Sequence, residues 1–114
     1  MLVLCVDDDD MVRLVTGNML RELGHEVIEA QDGESALDRL RDCGRHVDLM
    51  MTDIRMPGMT GFLLARRAKV HNPKLNVVFM TGYIDGPMPP GPHFSKPCTL
   101  RRLEETISSA IRSH

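Results

Sequence analysis

Hydrophobic positions along the chain switch between two periods. The runs at 2–6, 47–52 and 75–80 are apolar almost throughout, 25–30 is mixed, and 93–95 is a short extended run. Each has strand length, and the apolar character of 47–52, broken by Asp48 and ended by Thr52, suits a central strand buried on both faces. The mixed run at 25–30 suits an edge. Between these runs apolar residues recur at helical spacing. Val12, Val15, Met19, Leu20 and Leu23 mark one face of a helix over 11–23, and Gly24 follows as its stop. Asp32 caps a second helix with Ala36, Leu37, Leu40 and Cys43 on one face, ended by Gly44. Thr60 caps a third over about 61–71, closed by Asn72 and Pro73. Thr99 caps a last helix that gathers Leu100, Leu103, Ile107 and Ile111. Strands alternating with helices imply right-handed crossovers and a doubly wound parallel sheet of the α/β class.

Composition narrows this picture rather than changing it. At 114 residues the chain holds one domain, with no repeat, linker or low-complexity tract. A hydrophobic share of 42%, a charged share of 26% and a net charge of −2 are ordinary for a globular protein and offer no basic surface for nucleic acid. No apolar run approaches the roughly 20 residues of a membrane span, and Met1 leads into a strand without a signal-peptide pattern, which points to the cytoplasm. Cys5, Cys43 and Cys98 show no metal spacing; Cys5 and Cys43 read as core residues in a reducing compartment, and Cys98 as exposed.

The chemistry sits where strands end. Asp53 closes the third strand and is followed at once by a Pro/Gly-rich loop, a place where a short side chain is held from behind and open in front. Alone, such an aspartate reads as a turn starter. The first strand, however, ends on Asp7, Asp8, Asp9 and Asp10. Asp9 or Asp10 caps the following helix, while Asp7 and Asp8 lie directly at the strand end. If the two strands are parallel neighbours, Asp7, Asp8 and Asp53 converge, and three converging carboxylates call for a hard divalent cation; Mg2+ suits so few oxygen ligands and leaves room for phosphate. Thr81 and Lys96 end two further strands, adding a hydroxyl and an ammonium aimed at whatever binds Asp53. Such a set recognises a phosphoryl group.

At this point the chain resembles the receiver domains of bacterial two-component response regulators, such as the single-domain chemotaxis regulator. The likeness is collinear over essentially all of 1–114: Val6-Asp7-Asp8, Arg13 in the first helix, D-x-x-M-P-G-x-x-G from Asp53 to Gly61, Thr81-Gly82 and Lys96-Pro97. The resemblance implies a flavodoxin-like five-stranded sheet of order 2-1-3-4-5. It implies a phosphoacceptor switch rather than a conventional enzyme, with at most self-phosphorylation and self-dephosphorylation. Asp53 would accept a phosphoryl group from the phosphohistidine of a histidine kinase or a histidine phosphotransfer domain. Asp8, Asp53 and the backbone carbonyl of Arg55 would bind Mg2+, with Asp7 acting mainly through water. Lys96 and Thr81 would each hold a phosphoryl oxygen, and a cis bond before Pro97 would aim the lysine inward. Thr81 and His93 would form the conformational switch, His93 standing where the family carries an aromatic residue.

One stretch departs from the family. Only fourteen residues separate Thr81 from Lys96, and Pro87, Pro89, Pro90 and Pro92 fall among them. Helix interiors do not carry that proline density, so the family's fourth helix is expected to be absent or reduced to a turn. This favours a hybrid-kinase receiver or a single-domain phosphate shuttle over the N-terminal receiver of a DNA-binding regulator. A haloacid-dehalogenase-like phosphatase is the other alternative. It places its nucleophile in a DxDx(T/V) motif on the first strand, a spacing that Asp8, Asp10 and Val12 share, but it would also want a cap domain, for which 114 residues leave no room. A calcium loop at Asp7–Asp10 lacks alternating ligands and a distal Glu.

Overall fold

Side chains alternate across a strand, so a strand buried on both faces feeds two cores. In the computed structural model β1 (Leu2–Val6) does this: Leu2, Leu4 and Val6 enter one apolar cluster, Val3 and Cys5 the other. The structure describes residues 1–42, 46–81, 93–95 and 99–112, with 81, 93–95 and 112 described by backbone alone. Along the chain β1 is followed by α1 (Asp10–Glu22), β2 (Glu26–Ala30), α2 (Gly33–Asp42), β3 (Leu49–Asp53), α3 (Gly61–His71), β4 (Asn76–Thr81), β5 (His93–Ser95) and α4 (Leu100–Arg112). The five strands are parallel, in the order β2-β1-β3-β4-β5. The expected doubly wound α/β sheet and its 2-1-3-4-5 order are therefore present. The expected reduction of the family's fourth helix falls on residues 82–92, outside the described residues.

Residues of α2 and α3, with Met50 and Phe79, build one core layer; residues of α1 and α4, with Leu49, Met51, Val78 and Met80, build the other. β2 is an edge strand and is the least buried of the strands whose side chains are described, as its mixed polarity requires. Asp48, the polar interruption before β3, ties the far end of the sheet together. Its carboxylate accepts the Leu2 amide at 2.8 Å, and its carbonyl accepts the Asn76 side-chain amide at 3.2 Å.

The helices begin where their caps are. Asp9 accepts the amides of Met11 and Val12 at 3.0 and 3.1 Å, Asp32 that of Ser35 at 2.7 Å, Thr60 that of Leu63 at 3.2 Å, and Thr99 that of Arg102 at 3.1 Å. Each satisfies a donor that the first turn cannot, a contribution of about 1 kcal/mol per cap.

Two helix faces differ from the pattern of large apolar residues. In α1 the buried positions are Thr16, Gly17 and Leu20, whereas Val15 is 50% exposed. The small residues let the helix approach the sheet, and Arg21 reaches past Gly17 to Glu29 on β2; of the expected stripe Leu20 is buried and Met19 and Leu23 pack against the core, while Val15 faces outward. In α4 Leu103, Thr106, Ile107 and Ala110 are buried and Ile111 is exposed. Cys5 is buried as expected; Cys43 and Cys98 lie outside the described residues.

Candidate functional site

Parallel strands deliver their C-terminal ends to one edge. Val6 pairs with Thr52, and Asp53 pairs with Met80, so the residues that leave β1 and end β3 stand side by side. Asp7, Asp8 and Asp53 each present a carboxylate oxygen within 4.8 Å of the others. Their environments are graded: Asp7 is fully buried, Asp53 is intermediate in burial and Asp8 is exposed. The expected convergence of the three carboxylates is thus present.

The acidic loop after β1 is braced by its own backbone and by one arginine. Asp7 Oδ1 accepts the Asp9 amide at 2.9 Å. Arg13, one turn into α1, donates from Nη1 to the Asp7 carbonyl at 2.8 Å and from Nη2 to Asp10 Oδ1 at 2.6 Å, with Nε 3.5 Å from Glu29. The hydrogen bond to Asp10, with the attraction of Asp10 and Glu29, raises the guanidinium pKa further, so Arg13 is a permanent cation behind the acidic loop.

The loop after β3 is shaped by contacts that demand particular residues. The Ile54 amide donates to Asp53 Oδ1 at 2.8 Å, and the hydroxyl of Thr52 donates to the Asp53 carbonyl at 2.9 Å. Gly58 has φ +83, a conformation that side chains resist. Gly61 donates its amide to the Ile54 carbonyl at 2.8 Å, and a Cβ there would stand 2.1 Å from the Asp53 carbonyl oxygen. Ile54, Met56 and Met59 tuck into the core beneath. The M-P-G-x-x-G spacing thereby records a turn, two apolar anchors and a close backbone approach that together hold Asp53.

The other expected site residues divide by location. Thr81 is the last residue of β4, at the edge where the strands end and paired with Ser95, whereas His93, the first residue of β5, pairs with Phe79 two residues back from that edge; only the backbones of Thr81 and His93 are described. Arg55 is exposed in the loop after β3. Lys96, Pro97 and the expected cis bond lie outside the described residues. Near the acidic cluster Met56 belongs to the core, while Met11, Leu14 and Val15 on α1 are exposed at 68%, 48% and 50%. Thr52 and Arg13 as braces were not read from the sequence. A lone hydroxyl beside a strand-end aspartate, and a cation one turn past an acidic run, were the available signals.

A cluster of oxygen donors alone, one of them open to solvent, fits a hard divalent cation that keeps part of its water shell.

The family model described as the response regulator receiver domain matches residues 3–89. The chain belongs to this family. A response regulator receiver protein, CpdR of Brucella abortus, is 34% identical over 96% of this chain and 95% of its own length. A cyclic di-GMP phosphodiesterase of Thermotoga maritima is 32% identical over 99% of this chain, which spans only 32% of that protein. The crystal structure of the receiver domain from the hybrid histidine kinase CckA aligns with a TM-score of 0.82 at 33% identity, covering 97% of this chain and 99% of that one. As a receiver the chain is a phosphoacceptor switch of two-component signal transduction by family, and its acidic cluster is one that could hold a metal. Among the described residues no helix is long and apolar enough to cross a membrane.

Proposed function

We propose that this receiver accepts a phosphoryl group on Asp53 from the phosphohistidine of a histidine kinase or histidine phosphotransfer domain, and passes it on rather than driving a DNA-binding switch. The observation that carries the acceptor role is the approach of the Asp7, Asp8 and Asp53 oxygens to within 4.8 Å. Asp8, Asp53 and the Arg55 carbonyl would hold Mg2+, with Asp7 acting through water. When bound, Mg2+ supplies charge neutralisation for a transition state that spreads negative charge over three oxygens.

The residues do the rest by positioning. An oxygen of Asp53 attacks phosphorus as the phosphorus–nitrogen bond to the donor imidazole breaks, and the imidazole leaves with that electron pair. Lys96 and Thr81 would each pair with a phosphoryl oxygen, and Thr81 and His93 would relay occupancy to the β4–β5 side. The exposed Met11, Leu14 and Val15 on α1 offer an apolar surface beside the pocket on which a histidine-bearing helix can rest.

The relay reading is supported by the proline-rich segment of fourteen residues between Thr81 and Lys96 and by likeness to a hybrid-kinase receiver and to a receiver of nearly the same length. A cytoplasmic location accords with a kinase partner.

Incubation with acetyl phosphate and Mg2+, read by intact mass, should add one phosphoryl group to the wild type and none to Asp53→Asn. A folded Asp53→Asn protein labelled to the same extent would remove the acceptor claim. The beryllofluoride-loaded protein should remain monomeric by light scattering; a clear dimer through α4 would restore the DNA-binding regulator.

A further inference from the structure

We infer that the buried hydroxyl of Thr52 is a positioning element for the acceptor, setting the orientation of the Asp53 carboxylate through the peptide unit that joins Asp53 to Ile54. The inference rests on Asp53 being the phosphoacceptor and adds the device that aims it.

Thr52 is fully buried in a strand whose other residues up to Asp53 are apolar. A hydroxyl in such a place is costly unless it is hydrogen-bonded. It donates to the Asp53 carbonyl oxygen at 2.9 Å. That carbonyl and the Ile54 N–H belong to one planar peptide group, so holding the oxygen fixes the direction of the N–H. The N–H in turn donates to Asp53 Oδ1 at 2.8 Å. Rotation of a carboxylate about its Cβ–Cγ bond is otherwise soft, with one broad, two-fold well. With Oδ1 held, both oxygens have defined directions.

The peptide is confined from a second side as well. Gly61 at the start of α3 packs so closely that a Cβ would lie 2.1 Å from the same carbonyl oxygen. Thr52 itself is locked between Val6 and Phe79 by its place in the ladder. The chain of constraint therefore runs from the sheet core, through one hydroxyl and one rigid plane, to the reacting carboxylate. Phosphoryl transfer depends on such alignment, since the nucleophile must meet phosphorus in line.

Two variants and two readouts test this. Thr52→Val removes the hydroxyl at nearly constant shape, and Thr52→Ser keeps it. With saturating Mg2+ the second-order rate constant for acetyl phosphate labelling of Asp53 should fall about tenfold in Thr52→Val and stay within about twofold of wild type in Thr52→Ser, the scale expected of a loosened nucleophile. In the unlabelled proteins the Ile54 amide proton resonance should move upfield in Thr52→Val alone, because its bond to a charged acceptor weakens. Wild-type labelling of Thr52→Val, or an unmoved Ile54 resonance in it, overturns the inference. Equal losses in Thr52→Ser and Thr52→Val also overturn it, because core packing rather than the hydroxyl would then be responsible. If the wild type is not labelled at Asp53, the acceptor reading fails, while the Ile54 resonance still decides whether Thr52 holds the peptide.

Discussion

Gly61→Ala is the smallest change that should disable the acceptor while leaving the carboxylates in place. The added methyl carbon would stand 2.1 Å from the Asp53 carbonyl oxygen, 3.0 Å from its carbonyl carbon and 3.1 Å from Ile54 Cα. A carbon and a carbonyl oxygen rest no closer than about 3.3 Å, so the 2.1 Å approach requires a relative shift of about 1.2 Å. All three neighbours are backbone, and no side chain can swing away to absorb it. The shift falls on the peptide that carries the Ile54 amide to Asp53 Oδ1, so it reaches the acceptor directly. Misplacement of about 1 Å near a reacting group costs on the order of a hundredfold in rate, and forcing an extra methyl into a packed site costs about 1–3 kcal/mol of stability. Acetyl phosphate labelling followed by intact mass, beside thermal unfolding, measures both. Gly58→Ala is the control: it has φ +83 but nothing within 4 Å of a Cβ, so it should lose about 1–2 kcal/mol without a comparable loss of labelling rate. A Gly61→Ala protein that labels and melts like wild type would refute the reasoning, because it would show the α3 start is free to move.

Mg2+ at a hundredfold excess over its Kd should stabilise the wild type by about 2.7 kcal/mol, roughly 10 °C in Tm for a domain of this size. Asp8→Ala should lose that rise, and an undiminished rise in the variant would place the metal elsewhere. His25 has its pKa lowered, chiefly by burial and then by the Met1 ammonium, so the native state disfavours the imidazolium. The unfolded chain therefore binds more protons as pH falls through about 6.5, and stability should decline between about pH 7.5 and 5.5. His25→Gln should flatten that decline in denaturant midpoints, and identical slopes would dismiss the coupling.

What was legible in the sequence was what local chemistry decides. Asp9, Asp32, Thr60 and Thr99 act as caps because a short oxygen-bearing side chain before a helix has one efficient use. The convergence of Asp7, Asp8 and Asp53 was legible because parallel strands end on one side. The core face of α1 was legible only in part: Leu20, with Met19 and Leu23 beside it, meets the core as its hydropathy suggests, but size and hydropathy also favour Val15 where the close approach of helix to sheet selects Thr16 and Gly17. The same preference put Ile111 in the core of α4, where Ala110 and Thr106 fit instead. Nor was the role of Thr52 legible. In an apolar strand its hydroxyl looks incidental until the direction of one peptide plane is known.

The electrostatics of the pocket explain why a fixed cation nearby does not make a mobile one redundant. Arg13 sits behind the acidic loop, but its donors are directed to the Asp7 carbonyl, Asp10 and Glu29. Each of these lies on the α1 and β2 side, and a guanidinium satisfied there has its charge largely matched by Asp10 and Glu29. The braced loop therefore keeps its shape around the three carboxylates. Asp8 is exposed at the open front, where a divalent cation would lower the mutual repulsion of the three. Rigidity and charge would then come from different partners: arginine and backbone set where the oxygens stand, and on the proposed reading a divalent ion would neutralise them for phosphoryl transfer. A lysine in place of Arg13 would keep the charge yet lack the planar fork that reaches the carbonyl and both acids at once, so shape, not charge, is what this position contributes.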